Sequence, residues 1–463
     1  MSAAGPVTSE DRQEFAGDLG RRESTVTLAT WLGTHLSAFP TALVVILVLA
    51  SLLNPIQPIT EERVSYGNPI LLMRLATAGV AWALGLWGLL QVASPRRLLY
   101  SLPGLLLFGL AAVLLCSALL ADESTRTISL ASALILAGYL IFLASTIATL
   151  GLRRTLWATC AGSVIYLLIA WFVFLAFPSV GHFYEYTDAT STVTRMGGVA
   201  HPNAIAREAA VSLVIFLGLL RFRGESGLEQ AFLDSASPAT YVRTIVVSAV
   251  IVLILATLVA TISRTAILAG VAGVVMLLFD KLYSRVGVLL GLAACCLLIS
   301  AFLYSTVVKQ KSLDSSATTL VTKSGDVEEL TSLTGRTLIW AEAIELIRQQ
   351  PLTGYGLDSA ASVMTKEAVG THSLILHVLF SGGVLAGALM AILLVMTVGL
   401  ALFSQEPLYR GLATYIFVSG LVEDTLFSSF PCQLTLAFLA MMLARTQASV
   451  LSDASTEAGP AVG

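Results

Sequence analysis

Residues 127–150 read TISLASALILAGYLIFLASTIATL, 24 positions without one charged side chain, and residues 151–154 that follow read GLRR. A run of about 20 apolar residues is what a helix needs to cross a hydrocarbon core of roughly 30 Å. The arginine pair at its end marks a cytoplasmic boundary under the positive-inside bias. Working outward, comparable runs recur near 37–54, 70–93, 102–121, 156–178, 200–221, 242–262, 265–280, 285–305, 372–403, 409–427 and 431–448. The sequence therefore predicts an all-α, polytopic integral membrane protein with about 12 transmembrane helices, not the three soluble domains that length alone suggests.

Composition agrees. Of 463 residues, 56% are hydrophobic and 12% charged, against roughly 25% charged in soluble domains. A net charge of −3 gives no broad basic field for nucleic acid. Cys116, Cys160, Cys295 and Cys296 lie inside apolar runs, and Cys432 forms no paired spacing with them, so neither a disulfide framework nor a CxxC site is expected.

Residues 1–36 are polar and of mixed charge, which predicts a cytoplasmic N-terminal tail ahead of a signal anchor. The membrane domain is then 37–448, with a second cytoplasmic tail at 449–463. This orientation puts Arg96, Arg97, Arg153, Arg154, Arg221, Arg223, Arg243, Lys281, Arg285, Arg410 and Arg445 inside, as the positive-inside rule requires. The longest hydrophilic segment between spans, 306–371, falls outside. Its first part is rich in Ser, Thr and Asp. Its second part carries Ile339, Trp340, Ala343, Ile344 and Ile347 at helical spacing, with Thr334 as N-cap and Pro351 and Gly354 as terminators. An amphipathic helix on the outer surface, with Trp340 at headgroup level, is expected. A second outer polar segment, 179–199, precedes the sixth span.

Ionisable groups in or beside spans cost about 2.5–3.5 kcal/mol each on insertion scales, so each calls for a partner or a role. On the outer half these are Arg195, Arg207, Arg264 and Arg336. Arg264 sits in a tight turn between two apolar runs. Arg195 precedes Gly197, Gly198, His201, Pro202 and Asn203, where Asn203 and Arg207 share a helix face, as do His201 and Glu208. Each of these groups can equally be read as an internal hydrogen-bonding residue between packed helices. His372 and His377 open the tenth span, and imidazole exchanges protons near neutral pH. Glu423 and Asp424 end the eleventh. No DxD, HExxH, Walker A or GxSxG pattern occurs, so no metal site and no cofactor are expected.

Gly335-Arg336, Trp340, Pro351, Gly354-Tyr355-Gly356 and His372-Ser373 with Leu376 and Gly383 together resemble the O-antigen ligase and O-antigen polymerase superfamily of bacterial envelope proteins. Ser263-Arg264 and the Gly197-to-Asn203 segment are similar to its upstream motifs, so the resemblance covers roughly 190–400. Ser373 stands where members commonly have Asn, and a hydroxyl replaces one amide hydrogen bond but not both.

The resemblance implies a multi-pass glycosyltransferase of the bacterial inner membrane with its site facing the periplasm. It would be metal-independent and inverting, moving a glycan from undecaprenyl pyrophosphate to a lipid A-core or a lipid-linked repeat-unit acceptor. Guanidinium groups suit phosphate oxygens. Arg264 and Arg195 are therefore assigned to the pyrophosphate, with Arg207 and Arg336 as further candidates. His372 is the general base, and His201, Asn203, Ser373, Trp340 and Glu423 are supporting residues. A polytopic solute transporter of bicarbonate type is the alternative. It should show broken helices or inverted repeats, and neither is evident in the sequence.

Overall fold

The computed structural model describes residues 38–56, 68–91, 93–186, 192–221, 238–278, 336–364, 370–423 and 426–444. Both predicted tails, the predicted span 285–305 and residues 306–335 of the predicted loop 306–371 lie outside these residues. The described chain is mostly helical: α1 (Ala38–Leu53), α2 (Pro69–Gln91), α3 (Leu102–Leu120), α4 (Glu123–Ala176), α5 (Pro202–Arg221), α6 (Pro238–Thr261), α7 (Arg264–Leu278), α8 (Arg336–Gln349), α9 (Leu374–Phe403), α10 (Pro407–Val422) and α11 (Gln433–Ala444). Six of them are long and apolar enough to cross a membrane, and α1, α7 and α11 are shorter apolar helices. The 54 residues of α4 absorb two predicted spans, joined at Gly151, whose φ is 73°.

Two expectations need correction. The chain is not purely helical, because the polar segment 179–199 folds into an antiparallel hairpin, β1 (His182–Tyr186) with β2 (Thr192–Met196). Phe183, Glu185, Val193 and Arg195 fall at every second position and pair across the strands, so they share one face of the ribbon, where Arg195 reaches Glu185. A broken helix is also present: α9 is interrupted at Gly383, with φ 67° and ψ −166°.

That break is filled by backbone. The Tyr355 amide donates to the Phe380 carbonyl at 2.8 Å, the Gly356 amide to the Ser381 carbonyl at 2.9 Å, and the Val384 amide to the Pro351 carbonyl at 2.8 Å. Ser117 Oγ from α3 donates a second bond to the Ser381 carbonyl at 2.6 Å. The Gly-Tyr-Gly motif is thus a plug whose amides satisfy carbonyls that α9 cannot satisfy itself. A Cβ on Gly383 would lie 2.3 Å from the Leu352 oxygen, so only glycine fits both the dihedral and the space. Tyr355 stacks on Phe380 with ring centroids 5.0 Å apart, and its hydroxyl donates to the Leu346 carbonyl at 3.1 Å. Burial, with the Asp122 carboxylate adding to it, raises the Tyr355 phenol above its ordinary pKa, which keeps that donor protonated.

Helix α8 rests on this plug. Ala343, Tyr355, Ala360, Met364 and Phe380 form a small second core, with Ile339, Leu346 and Ile347 packed against it. The predicted apolar face is therefore turned largely onto α9, while Ile344 is 41% exposed and Glu345 pairs with Arg348 on the exposed side at 3.7 Å.

Arginines expected on the cytoplasmic side cap one helix end together. Arg221 Nη1 donates to the Leu277 and Leu278 carbonyls, and Arg410 Nε to the Met276 carbonyl, which satisfies and neutralises the C-terminus of α7. Every candidate site residue lies at the opposite end of the bundle.

Gly383→Ala should cost at least about 1–2 kcal/mol from its left-handed backbone alone and lower the thermal unfolding midpoint in detergent. Gly399→Ala, in open space on the same helix, should leave the midpoint unchanged. Equal midpoints for both variants would contradict the plug.

Candidate functional site

The far ends of α5, α6, α7, α9 and α10 meet beside the hairpin. Glu423 caps the C-terminus of α10, where the helix dipole disfavours a carboxylate. It is 9% exposed. One of its oxygens lies 3.9 Å from His372 Nδ1, and the other accepts from Thr265 Oγ1 at 3.4 Å. Three segments distant in sequence thereby converge: the loop entering α9, the end of α10 and the first turn of α7. Arg264, half-buried, is the residue before Thr265 and opens α7.

Arg207 reaches the same place from α5. Its Nε is buried without a hydrogen-bond partner, and its guanidinium lies within electrostatic reach of Glu208 and Glu423. Glu208 is fully buried and accepts from Ser163 Oγ at 3.5 Å. His201 and Glu208, which the spacing puts on one helix face, lie in different surroundings, since the helix begins only at Pro202. His201 is exposed and accepts from the Asn203 amide at 3.2 Å, capping the start of α5.

Arg195 behaves differently from the other arginines. It is 2% exposed. Nε donates to the Thr261 carbonyl at 2.7 Å, Nη1 to Glu185 at 2.6 Å, and Nη2 to Asn203 Oδ1 at 2.7 Å. Three of the five guanidinium N–H groups are thus taken by protein. The side chain ties the hairpin to the start of α5 and to the turn that presents Arg264. Gly198, at φ 90°, lets this segment pack against the Val180 carbonyl, where a Cβ would sit 2.7 Å away.

Strain gathers here as well. The non-glycine residues with positive φ among the described residues are Ile262 (50°), Asp358 (59°), His372 (49°) and Phe427 (66°). Conformations of this kind cost about 1–3 kcal/mol each and cluster at functional sites. Ile262 stands two residues before Arg264, His372 is itself the proposed base, and Phe427 follows Glu423 on the same loop. Asp358 Oδ2 accepts from the Ser429 amide at 2.7 Å and from Ser132 Oγ at 2.9 Å, which anchors that loop to α4.

The remaining candidates are peripheral or only partly described. Ser373 is the N-cap residue of α9, and its side chain makes no capping bond. His377 is buried, with Nε2 3.3 Å from the Phe427 carbonyl. Trp340 lies on α8, its Nε1 buried. Arg336 opens α8, with its side chain outside the described residues, as is Asp424. No group of three or more His, Cys, Asp or Glu able to hold a metal occurs among the described residues. Glu423, a supporting residue by its sequence alone, lies beside His372 in the structure. The available signal was a carboxylate at the C-terminal end of an apolar helix, where it needs a cationic partner.

Residues 249–391 match the family described as O-Antigen ligase. That interval holds Arg264, α8, the Gly354–Gly356 plug, His372 and the break in α9, and it leaves out Arg195, Arg207 and Glu423. No curated protein matches the chain. The part of the chain over residues 249–391 is thus similar to the O-antigen ligase family, as the motifs in that interval imply.

Proposed function

We propose that this protein transfers a glycan from undecaprenyl pyrophosphate to a sugar hydroxyl at the outer face of the bacterial inner membrane, without a metal and with inversion. The observation that carries this reading is the convergence of His372, Glu423 and the Arg264 turn at the end of the bundle away from the capping arginines. Glu423 beside Nδ1 orients the imidazole and stabilises its cation, leaving Nε2 for the acceptor. His372 takes the hydroxyl proton, the oxygen bonds to the anomeric carbon, and the bond to the pyrophosphate breaks with its electron pair on the leaving group. Arg264 and Arg207 hold the pyrophosphate, whose charge they offset in place of a metal. Arg336, at the start of α8, is a further candidate for the same phosphate oxygens. Arg195, which internal partners hold, positions the Arg264 turn; His201 and Asn203 order the same corner, and Ser373 and Trp340 border the acceptor side. Lipid A-core makes the protein a ligase, and a second lipid-linked repeat unit makes it a polymerase.

The transporter reading draws on the broken helix α9. Its break, however, is occupied by the backbone of residues 351–356, so the transferase reading is preferred.

Purified protein incubated with an undecaprenyl-pyrophosphate-linked oligosaccharide should yield longer lipid-linked chains or transfer to a second lipid. Absence of both would favour transport. His372→Ala should lower kcat by about 10²–10⁴, the usual contribution of a general base, with the unfolding midpoint retained; a fully active variant would remove the base assignment. Arg264→Lys should raise KM for the donor at unchanged stability, since an ammonium cannot make the forked contact. Arg195→Lys should instead lower the unfolding midpoint, because Thr261, Glu185 and Asn203 lose a shared donor at about 1–3 kcal/mol per unsatisfied buried group. If the two arginine variants behave alike, the division between binding and positioning fails.

A further inference from the structure

The end of the bundle opposite the candidate site carries a cleft of about 470 Å³. This lies within the roughly 300–1,000 Å³ typical of ligand-binding clefts. It forms because the chain turns sharply between α2 and α3 through the short helix Ala93–Leu99, with Ser101 capping α3 by accepting from the Gly104 amide at 3.1 Å. It is lined by Leu86, Leu89 and Leu90 from α2, by Leu105 and Phe108 from α3, and by Arg96, Leu99 and Tyr100 between them.

Most of these apolar side chains are open to the outside: Leu90 is 73% and Leu105 52% exposed. An apolar wall facing outward on a membrane helix is in contact with acyl chains. Arg96 is the one cationic lining residue. Its Nε donates to the Leu89 carbonyl at 3.0 Å, which fixes the guanidinium at the rim, and among the described residues its terminal nitrogens make no further hydrogen bond. Arg97 beside it is exposed. Tyr100, 74% exposed, stands where interfacial aromatics sit at headgroup level. Acyl-compatible walls under a cationic rim are complementary to a lipid with a negative headgroup, and basic pockets between transmembrane helices bind such headgroups.

We infer that this cleft is a binding site for an anionic phospholipid, one acyl chain lying along Leu90, Leu105 and Phe108 and the phosphate resting on Arg96 and Arg97. The site is remote from His372 and does not depend on the transferase reading.

Native mass spectrometry of the purified full chain, titrated with phosphatidylglycerol or with phosphatidylcholine, tests it. Phosphatidylglycerol should be retained in preference. Arg96→Gln and Arg97→Gln should each weaken its retention about fivefold, as expected for roughly one surface cation's attraction to an anionic lipid, while phosphatidylcholine is unaffected. Leu105→Trp, which fills the cleft from an exposed position, should reduce retention of both lipids. Equal retention of the two lipids by the unaltered protein, or a phosphatidylglycerol preference that survives both arginine substitutions, would overturn the inference. Displacement of bound phosphatidylglycerol by excess inorganic phosphate would overturn it as well, by showing a free-anion site.

Discussion

A peptide group left unpaired in hydrocarbon costs several kcal/mol, and the helix that begins just after His372 is interrupted within its own apolar run. The chain resolves this by folding residues 351–356 back onto the break, so that the Phe380, Ser381 and Val384 backbone groups are all paired. Much of this end of the bundle follows from that contact. The plug seats α8 through a small core of its own. It also carries the chain directly into Asp358, whose carboxylate holds the loop after Glu423. The segments bearing His372 and Glu423 are thus both tied to one packed unit.

Arg195 is the second organising contact. A guanidinium buried to 2% exposure is tolerable only when its donors are met, and here a carboxylate, an amide oxygen and a backbone carbonyl meet them from three different elements. The price is a rigid corner, and rigidity serves the neighbouring turn, where Ile262 is held in a conformation that branched side chains avoid. A preorganised cation costs less reorganisation when charge develops on a leaving group. In this arrangement Arg195 serves the structure, and the proposed pyrophosphate contact falls to Arg264 on the turn it holds.

Much of this was legible in the residues and some was not. Apolar runs, terminators and caps set the helices well because burial and backbone pairing in a membrane act locally. The end of α8 at Gln349, ahead of Pro351, follows that logic. The hairpin at 182–196 was read only as a polar outer segment, because five-residue strands give little periodic signal. The break in α9 was visible as Gly382-Gly383, yet glycine pairs are common in membrane helices, and only the plugging backbone distinguishes a break from an ordinary helix. Arg195, Arg207 and Arg264 look alike as letters, and they differ only in which neighbours surround them.

The sequence by itself determined the membrane-spanning character, the inventory of misplaced charges and the family motifs, since these depend on composition and on spacing along one chain. Tertiary structure alone decided that Glu423 faces His372 across 51 positions, that Arg195 is internally satisfied, and that Gly354-Tyr355-Gly356 is a plug. Each of these depends on which groups meet when antiparallel helices pack, and pairings across such separations leave no local periodicity to read. The physical reason is the low dielectric of the packed interior, where a charge or peptide group must find its partner in space wherever that partner lies in the chain.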